Sequence, residues 1–169
     1  MKVLSKQLNS KMCYICGMDN PAGFKAQFYN MEDGSVLTRF GYKEIHQSFP
    51  QRVHGGLIAT MLDELACRAY WVEGNYELGV TTSIEVKYRK PVPYDIDLFG
   101  QAIVVMDKSR MFKTKAQIID SNGLIYADAL VTYLKLPQER IVKDINMHDE
   151  LTYMVEDNIT EFDFDFRMN

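Results

Sequence analysis

The stretch RVHGGLIATMLDELACRAYW, Arg52–Trp71, decides the fold of this chain. Its apolar residues recur at steps of three and four, which predicts one helix with a broad buried face. These residues are Leu57, Ile58, Met61, Leu62, Leu65, Ala69 and, just beyond the stretch, Val72. His54-Gly55-Gly56 stands where this helix would begin. Glycine in a helix costs about 1 kcal/mol, and an unpaired buried carboxylate such as Asp63 costs more, so the segment is a candidate functional site.

The overall composition is that of an ordinary globular protein. The 169 residues suffice for one domain with a substantial core, and 47% are hydrophobic and 25% charged. No apolar run approaches the ~20 residues of a membrane span, and the opening MKVLSKQLNSKM lacks a signal-peptide core. Three cysteines do not form a disulfide framework. We therefore expect a cytoplasmic protein that has no membrane partner.

The net charge of −4 is unevenly distributed along the chain. From Gln138 onward there are nine acidic and three basic residues, whereas residues 1–137 carry 14 acidic and 16 basic ones. A mildly basic body with an acidic appendage argues against nucleic acid and is compatible with a phosphorylated substrate. We expect a domain over 1–137 and an acidic extension over 138–169, with one or two modest helices and a loose tail.

Alternating apolar and polar residues predict strands in the rest of the body. Two such segments, Gly23–Tyr29 and Ser35–Tyr42, precede the helix. Four follow it, namely Val80–Arg89, Ile96–Met106, Arg110–Asp120 and Leu124–Leu136. Ser121-Asn122-Gly123 joins the last two as a hairpin turn. Since so apolar a helix needs cover on most of its surface, we predict an α+β fold in which a curved antiparallel sheet wraps one central helix.

The element order and several short motifs resemble a known family. The order β-β-α-β-β-β-β around one helix resembles the hotdog fold, and HGGLIATMLDE, His54–Glu64, resembles the His-Gly-Gly…Asp signature of the PaaI-like acyl-CoA thioesterases. The opening CYICGMDNPAGF, Cys13–Phe24, resembles the branch that starts with a Cys-x-x-Cys-Gly loop. HQSFPQRVHGG, His46–Gly56, and VKYRKPVP, Val86–Pro93, are similar to the family's segments on either side of the helix. The resemblance implies a thioesterase that acts on acyl-CoA without a cofactor.

The start of the helix is the candidate oxyanion site for such a reaction. A helix N-terminus presents unpaired N–H groups and the positive end of the dipole, which suits the oxyanion that develops during thioester hydrolysis. Gly55 and Gly56 would let a substrate approach this backbone closely; alternatively, they only ease a tight entry into the helix. His54 would position the carbonyl or form a hydrogen bond at the helix entry.

Asp63 is the candidate base or nucleophile. It lies eight residues beyond Gly55, about 12 Å along a helix, whereas a base must be within about 3 Å of its proton or one water away. The two groups can therefore act on one thioester only if they come from different chains. The alternative is a buried carboxylate bonded to a backbone or hydroxyl partner. The PaaI-like family places its carboxylate here and shares its site across a dimer interface, which implies a homodimer, often assembled into a tetramer.

Three neighbouring residues are further candidates. Gln47 resembles the amide that orients substrate or water in the family, and Thr81 matches the strand hydroxyl that is directed at the nucleophilic water. Thr82, on the opposite face of the strand, is the alternative to Thr81. Glu64 points about 100° away from Asp63 around the helix, so we expect it to contact solvent or an interface.

Basic residues are expected where the phosphates of coenzyme A would bind. Arg89 and Lys90 at a strand end and Lys108-Ser109-Arg110 at a turn are the candidates, although charged strand ends are usually just solvated. Cys13 and Cys16 form a Cys-x-x-Cys pair, but zinc takes four ligands and there is no second pair. We therefore expect a structural loop and no metal.

Two alternative functions stay open. One is an acyl-CoA sensor with a hotdog fold and no catalytic activity. The other is a hotdog hydratase or dehydratase, because HQSFP, His46–Pro50, resembles the His-Phe-Pro of those enzymes. Dehydratases pair that histidine with a glutamate nearer the start of the helix, where this chain has Met61.

Overall fold

The computed structural model describes residues 1–72, 78–163 and 168. Its strands are β1 (Val3–Lys6), β2 (Asn9–Ser10), β3 (Phe28–Met31), β4 (Val36–Phe40), β5 (Gly79–Tyr88), β6 (Leu98–Asp107), β7 (Met111–Ile119), β8 (Ile125–Lys135) and β9 (Leu151–Tyr153). Its helices are α1 (Gly55–Arg68), α2 (Gln138–Ile141) and α3 (Met147–Glu150), with 3-10 turns at Glu44–His46 and Ala69–Trp71. Seven strands form one antiparallel sheet in the order β1-β3-β4-β6-β7-β8-β5.

The central helix α1 packs on this sheet through the apolar face that the sequence predicts. Met61, Leu62 and Leu65 are completely buried. They share one core with side chains of the sheet, among them Phe28, Phe112 and Val131. Burying each such side chain is worth about 1.5–3 kcal/mol, so this face holds α1 in place. The hotdog arrangement of one central helix on an antiparallel sheet is thus confirmed.

The six predicted strands are all present, but the first is shorter than predicted. The strands β5 to β8 begin and end within two residues of their predicted bounds. In contrast, β3 starts at Phe28 rather than Gly23, because the preceding residues bond to the Cys-x-x-Cys loop instead of a strand. Phe24 N–H donates to Tyr14 O at 3.0 Å, and Ala26 N–H donates to Ile15 O at 2.9 Å.

The chain termini add structure that the sequence analysis missed. The short N-terminal strand β1 extends the sheet beside β3, and β2 pairs with β9 in a separate two-stranded sheet. The predicted loose tail is wrong for the residues around Asp157 and Phe162. Asp157 forms an ion pair with Lys6 at 2.7 Å, and Phe162 is buried against Tyr29 and Phe99. These contacts fix the tail to the body, while the domain boundary at residue 138 stays a prediction.

The strand β5 forms an open edge of the large sheet. Within the described ranges it pairs only with β8, and each of its ten residues is at least partly exposed. Its apolar residues Val80, Ile84 and Tyr88 are 39%, 37% and 54% exposed. An unprotected edge of this length is a template for pairing with another strand. Among the helices of the described ranges, none has the length and apolarity to span a membrane.

Candidate active site

Two hydroxyl groups hold Asp63 on the face of α1 that lies toward β5 and β8. Thr81 Oγ1 donates a hydrogen bond to Asp63 Oδ1 at 2.9 Å. Tyr133 Oη lies 2.7 Å from the backbone oxygen of Asp63 and 3.2 Å from the same Oδ1. Among the described residues, no hydrogen bond engages Oδ2. One carboxylate oxygen is therefore fixed and the other is open to a water molecule or a substrate.

The surroundings of Asp63 raise its pKa. Burial of the half-buried carboxyl is the largest cause, and the charge of Glu64 adds to it. The hydrogen bonds from Thr81 and Tyr133 act in the opposite direction. A carboxylate with a raised pKa accepts a proton more readily near neutral pH than an ordinary aspartate does.

Tyr133, the second partner of Asp63, does not stand out in the sequence. Its ring stacks on Phe112 at 4.7 Å between centroids, and Phe112 stacks on Tyr70 at 4.1 Å. Burial raises the pKa of Tyr133, so its hydroxyl keeps its proton and serves as a donor. Tyr133 is the cross-strand neighbour of Thr81 in the β5–β8 pair. Knowledge of this strand register would have indicated Tyr133 as a partner of Asp63.

The two glycines at the start of α1 differ in their hydrogen bonds. His54 Nδ1 accepts a hydrogen bond from Gly56 N–H at 3.0 Å, so the imidazole caps the helix in the way that serine or aspartate usually does. The Gly56 N–H is therefore already bonded in this structure, and its part in an oxyanion site stays a prediction. Gly55 N–H has no acceptor among the described residues and remains the free donor.

The atoms around Gly55 would tolerate a Cβ atom at this position. The atoms nearest to a Cβ at this position would be those of the Tyr88 side chain, at 3.4 Å, an ordinary contact distance. Tyr88 Oη donates to Gly55 O at 3.0 Å, which places the helix start beside the end of β5. At Gly56, in contrast, a Cβ would lie 3.1 Å from His54 Nδ1 and press on the cap. The alternative that a glycine only eases a tight entry into the helix thus fits Gly56 better than Gly55.

Asp63 and Gly55 lie at opposite ends of β5 within one chain. Asp63 contacts Thr81 near the start of the strand, whereas Gly55 contacts Tyr88 at its end. The eight helical residues between them again correspond to about 12 Å. The structure therefore preserves the separation that the sequence predicted.

The remaining site candidates are all exposed. Gln47 lies in the loop before α1, where its backbone forms an isolated bridge with Val53. Arg89 donates to Asp128 through Nε at 2.5 Å, and this hydrogen bond raises the pKa of Arg89. Lys90 is next to it at the same end of β5. The Lys108-Ser109-Arg110 turn is at the other end of the sheet.

The hydrogen bonds of the strands fix how far apart these basic groups lie. Arg110 O accepts from Lys135 N–H, and Lys135 is paired with Gly79 at the start of β5. Nine residues of strand, about 30 Å, separate that end of β5 from Tyr88. In a single chain the two basic groups are therefore too far apart to bind one phosphate.

Glu64 forms contacts within its own chain, whereas a contact with solvent or an interface was expected. Its Oε1 accepts from Arg68 Nε at 2.9 Å, and its Oε2 lies 3.7 Å from Cys13 Sγ. Arg68 is 1% exposed, so its buried guanidinium holds Glu64 against the protein. This places the carboxylate beside the Cys-x-x-Cys loop rather than beside the free oxygen of Asp63.

Several known proteins to which this chain is similar are thioesterases. The thioesterase superfamily model matches residues 51–127, which include α1 and most of the sheet that follows it. Acyl-coenzyme A thioesterase THEM4 of Mus musculus is 25% identical over 138 residues, covering 80% of this chain. The protein of that name from Rattus norvegicus is 29% identical over 137 residues. The chain spans 58% of the length of each of these relatives.

Solved structures show the same fold. A hypothetical thioesterase from Streptococcus pneumoniae with coenzyme A has a TM-score of 0.61 at 21% identity, covering 68% of this chain and 89% of that one. The PaaI protein of E. coli has a TM-score of 0.61 at 14% identity, covering 68% and 81%. A further thioesterase superfamily protein reaches a TM-score of 0.68 at 22% identity, covering 73% and 60%. The chain therefore shares the hotdog fold of these structures.

Proposed function

We propose that this chain is an acyl-CoA thioesterase, which hydrolyses a thioester to a free acid and coenzyme A. The observation that carries the proposal is the environment of Asp63. Thr81 and Tyr133 fix one of its oxygens, the other is open, and burial raises its pKa. A general base for water needs these three properties together. The thioesterase superfamily match and the THEM4 relatives support a thioester as the substrate.

The active site is formed by two copies of the chain. The exposed edge of β5 can pair with β5 of a second copy in an antiparallel, two-fold arrangement. If the ten residues overlap fully, Gly79 of one copy faces Tyr88 of the other. The start of one β5, beside Asp63, then comes next to the end of the other, beside Gly55. This pairing also covers the exposed apolar side chains of the edge.

Hydrolysis uses one group from each copy. The thioester oxygen accepts a hydrogen bond from Gly55 N–H at the positive end of α1 in one copy. Asp63 Oδ2 of the other copy removes a proton from water, whose oxygen attacks the carbonyl carbon. The C–S bond then breaks, and the coenzyme A sulfur leaves and takes up the proton. Direct attack by Asp63 to form an anhydride, which water then opens, would use the same carboxylate oxygen.

The same pairing brings the basic groups together. The end of β5 that carries Arg89 and Lys90 in one copy approaches the Lys108-Ser109-Arg110 turn of the other. These side chains surround the mouth of the shared site and would contact the phosphates of coenzyme A. The hypothetical thioesterase with coenzyme A from Streptococcus pneumoniae, which shares this fold, supports coenzyme A as the ligand. Because Asp128 already engages Arg89, Lys90 is the more available cation of the pair.

A panel of acyl-CoA esters tests this function. Each ester is mixed with the purified protein and a thiol reagent that reports free coenzyme A, with Asp63→Asn as the matched control. Release by the wild-type chain and not by the variant supports a thioesterase. Binding of the esters with no release of coenzyme A by the wild-type chain would instead identify a sensor.

A further inference from the structure

The Cys-x-x-Cys loop packs against α1 one residue away from Asp63. Cys13 and Glu64 are half-buried there, and Cys16 is buried. The two sulfur atoms and a carboxylate oxygen of Glu64 all lie within 4.8 Å of one another. We propose that Cys13, Cys16 and Glu64 bind one zinc ion, with a water molecule as the fourth ligand. The sequence supplied only the two cysteines, whereas the fold brings the third ligand from a helix 51 residues away from Cys13.

The measured spacing fits a zinc ion. Zn–S bonds of about 2.3 Å and Zn–O bonds of about 2.1 Å at tetrahedral angles put sulfur and oxygen about 3.6 Å apart. Cys13 Sγ lies 3.7 Å from Glu64 Oε2 in the structure. Thiolates are also the ligands that favour zinc over magnesium or calcium. One of the three ligand spacings thus matches that of bound zinc, and the other two are no longer than 4.8 Å.

Two backbone N–H groups of the loop are directed at the sulfur of Cys13. The N–H groups of Ile15 and Cys16 point at Cys13 Sγ from 3.4 and 3.5 Å. Donors aimed at a sulfur stabilise its thiolate form, which is the form that binds metal. The turn requires glycine at Gly17, because a Cβ there would lie 2.3 Å from Cys13 O. The sequence Cys-x-x-Cys-Gly is thus a tight turn that aims its first sulfur at α1.

Arg68 supports the third ligand through its guanidinium group. Its Nε donates to Glu64 Oε1 at 2.9 Å, and a second guanidinium nitrogen donates to Leu8 O at 2.7 Å. The guanidinium also lies over the rings of Phe28 and Trp71, at 4.8 and 4.6 Å. Glu64 Oε2 is thereby directed toward Cys13. An outer partner that orients a carboxylate ligand in this way is typical of metal sites.

The charges of the cluster balance when zinc is bound. Two thiolates and one carboxylate carry three negative charges, and Zn²⁺ with Arg68 supplies three positive ones. The two thiol protons leave to solvent as the metal enters, so the cluster is neutral before and after binding. Neutrality matters because an unpaired charge at a buried site is costly. Zinc would tie the N-terminal loop to α1 and take no part in the hydrolysis.

Cobalt replaces zinc as a visible probe in the test. The reduced, metal-free full chain is titrated with Co²⁺, and we expect one ion per chain with thiolate-to-cobalt charge-transfer absorption and tetrahedral d–d bands. Zn²⁺ should displace it. Cys13→Ser and Cys16→Ser should each weaken binding by at least the roughly 10–100-fold that loss of an outer-shell partner costs. Cys67→Ser is the matched control, because Cys67 lies on α1 outside the cluster.

The wild-type chain also decides the question without any variant. X-ray absorption of the zinc-loaded protein should show two sulfur ligands, with oxygen completing the shell. Absence of stoichiometric binding, a shell of four sulfurs, or equal loss of binding in Cys67→Ser would each overturn the proposal. None of these measurements depends on thioesterase activity, so a failure here leaves the proposed function standing.

Discussion

The substitution Asp63→Asn separates a catalytic carboxylate from a structural one. The asparagine oxygen can still accept the hydrogen bonds from Thr81 and Tyr133. The charge is lost, and with it the open proton-accepting oxygen. We expect kcat to fall by roughly 10²–10⁴, the loss that removal of a general base produces, or about 3–5 kcal/mol of transition-state stabilisation. KM should change little, since the carboxylate contributes to the reaction rather than to binding.

Unlike its kcat, the stability of the Asp63→Asn variant should not fall at neutral pH. Because burial raises the pKa of Asp63, the folded state holds its proton more tightly than the unfolded state does. The carboxyl therefore stabilises the fold least once the pH has risen above its raised pKa, and asparagine removes that cost. Urea unfolding should show Asp63→Asn to be at least as stable as the wild type at neutral pH. This relative advantage should shrink in acid, below the usual aspartate pKa.

Coenzyme A release followed with a thiol reagent, together with urea unfolding at two pH values, measures both effects. A variant that keeps near wild-type kcat would refute the role of Asp63 as the base. A variant that loses about 1–3 kcal/mol of stability at neutral pH and keeps its turnover would identify a purely structural carboxylate.

Three further outcomes follow from the same geometry. Thr81→Val should lower kcat, whereas Thr82→Val, whose native hydroxyl donates to a backbone oxygen of β8, should leave it unchanged in the same kinetic assay. Tyr133→Phe removes a donor that lowers the pKa of Asp63, so the acidic limb of the kcat/KM profile should move to higher pH. Light scattering should show at least twice the mass of one chain; a fully active monomer would contradict the shared site.

Local sequence pattern accounts for the elements that were predicted. The apolar repeat of α1 and the alternation in β6 to β8 reflect which faces of these elements are buried. Each pattern lies within one short segment, so it can be recognised without knowing the rest of the fold. The contacts of the C-terminal tail do not have such a pattern. Tyr29 and Asp157 bond to each other across 128 positions, and neither residue signals the other in the sequence. The short strand β1 is likewise defined by its pairing with β3 rather than by its own composition.

The residues of the candidate site likewise include some that the sequence indicates and some that it does not. Asp63 and Thr81 follow from the resemblance to a family, and the structure brings them into contact. Tyr133 was missed because its place beside Asp63 depends on the register between β5 and β8. The state of the Gly56 N–H depends on the direction of the His54 imidazole, which no sequence pattern specifies. Contacts between distant segments and side-chain directions are therefore what the structure adds.

A mixed dimer tests most directly whether one site takes Asp63 from one copy and Gly55 from the other. Chains carrying Asp63→Asn and chains carrying Gly55→Val are given different affinity tags, coexpressed, and purified for both tags. The Gly55 variant should fold, since the atoms nearest to a Cβ there are those of Tyr88, at an ordinary contact distance of 3.4 Å. Each parent dimer should be inactive, whereas the mixed dimer retains one intact site and should show about half the wild-type activity. An inactive mixed dimer, formed from folded parents, would contradict the account.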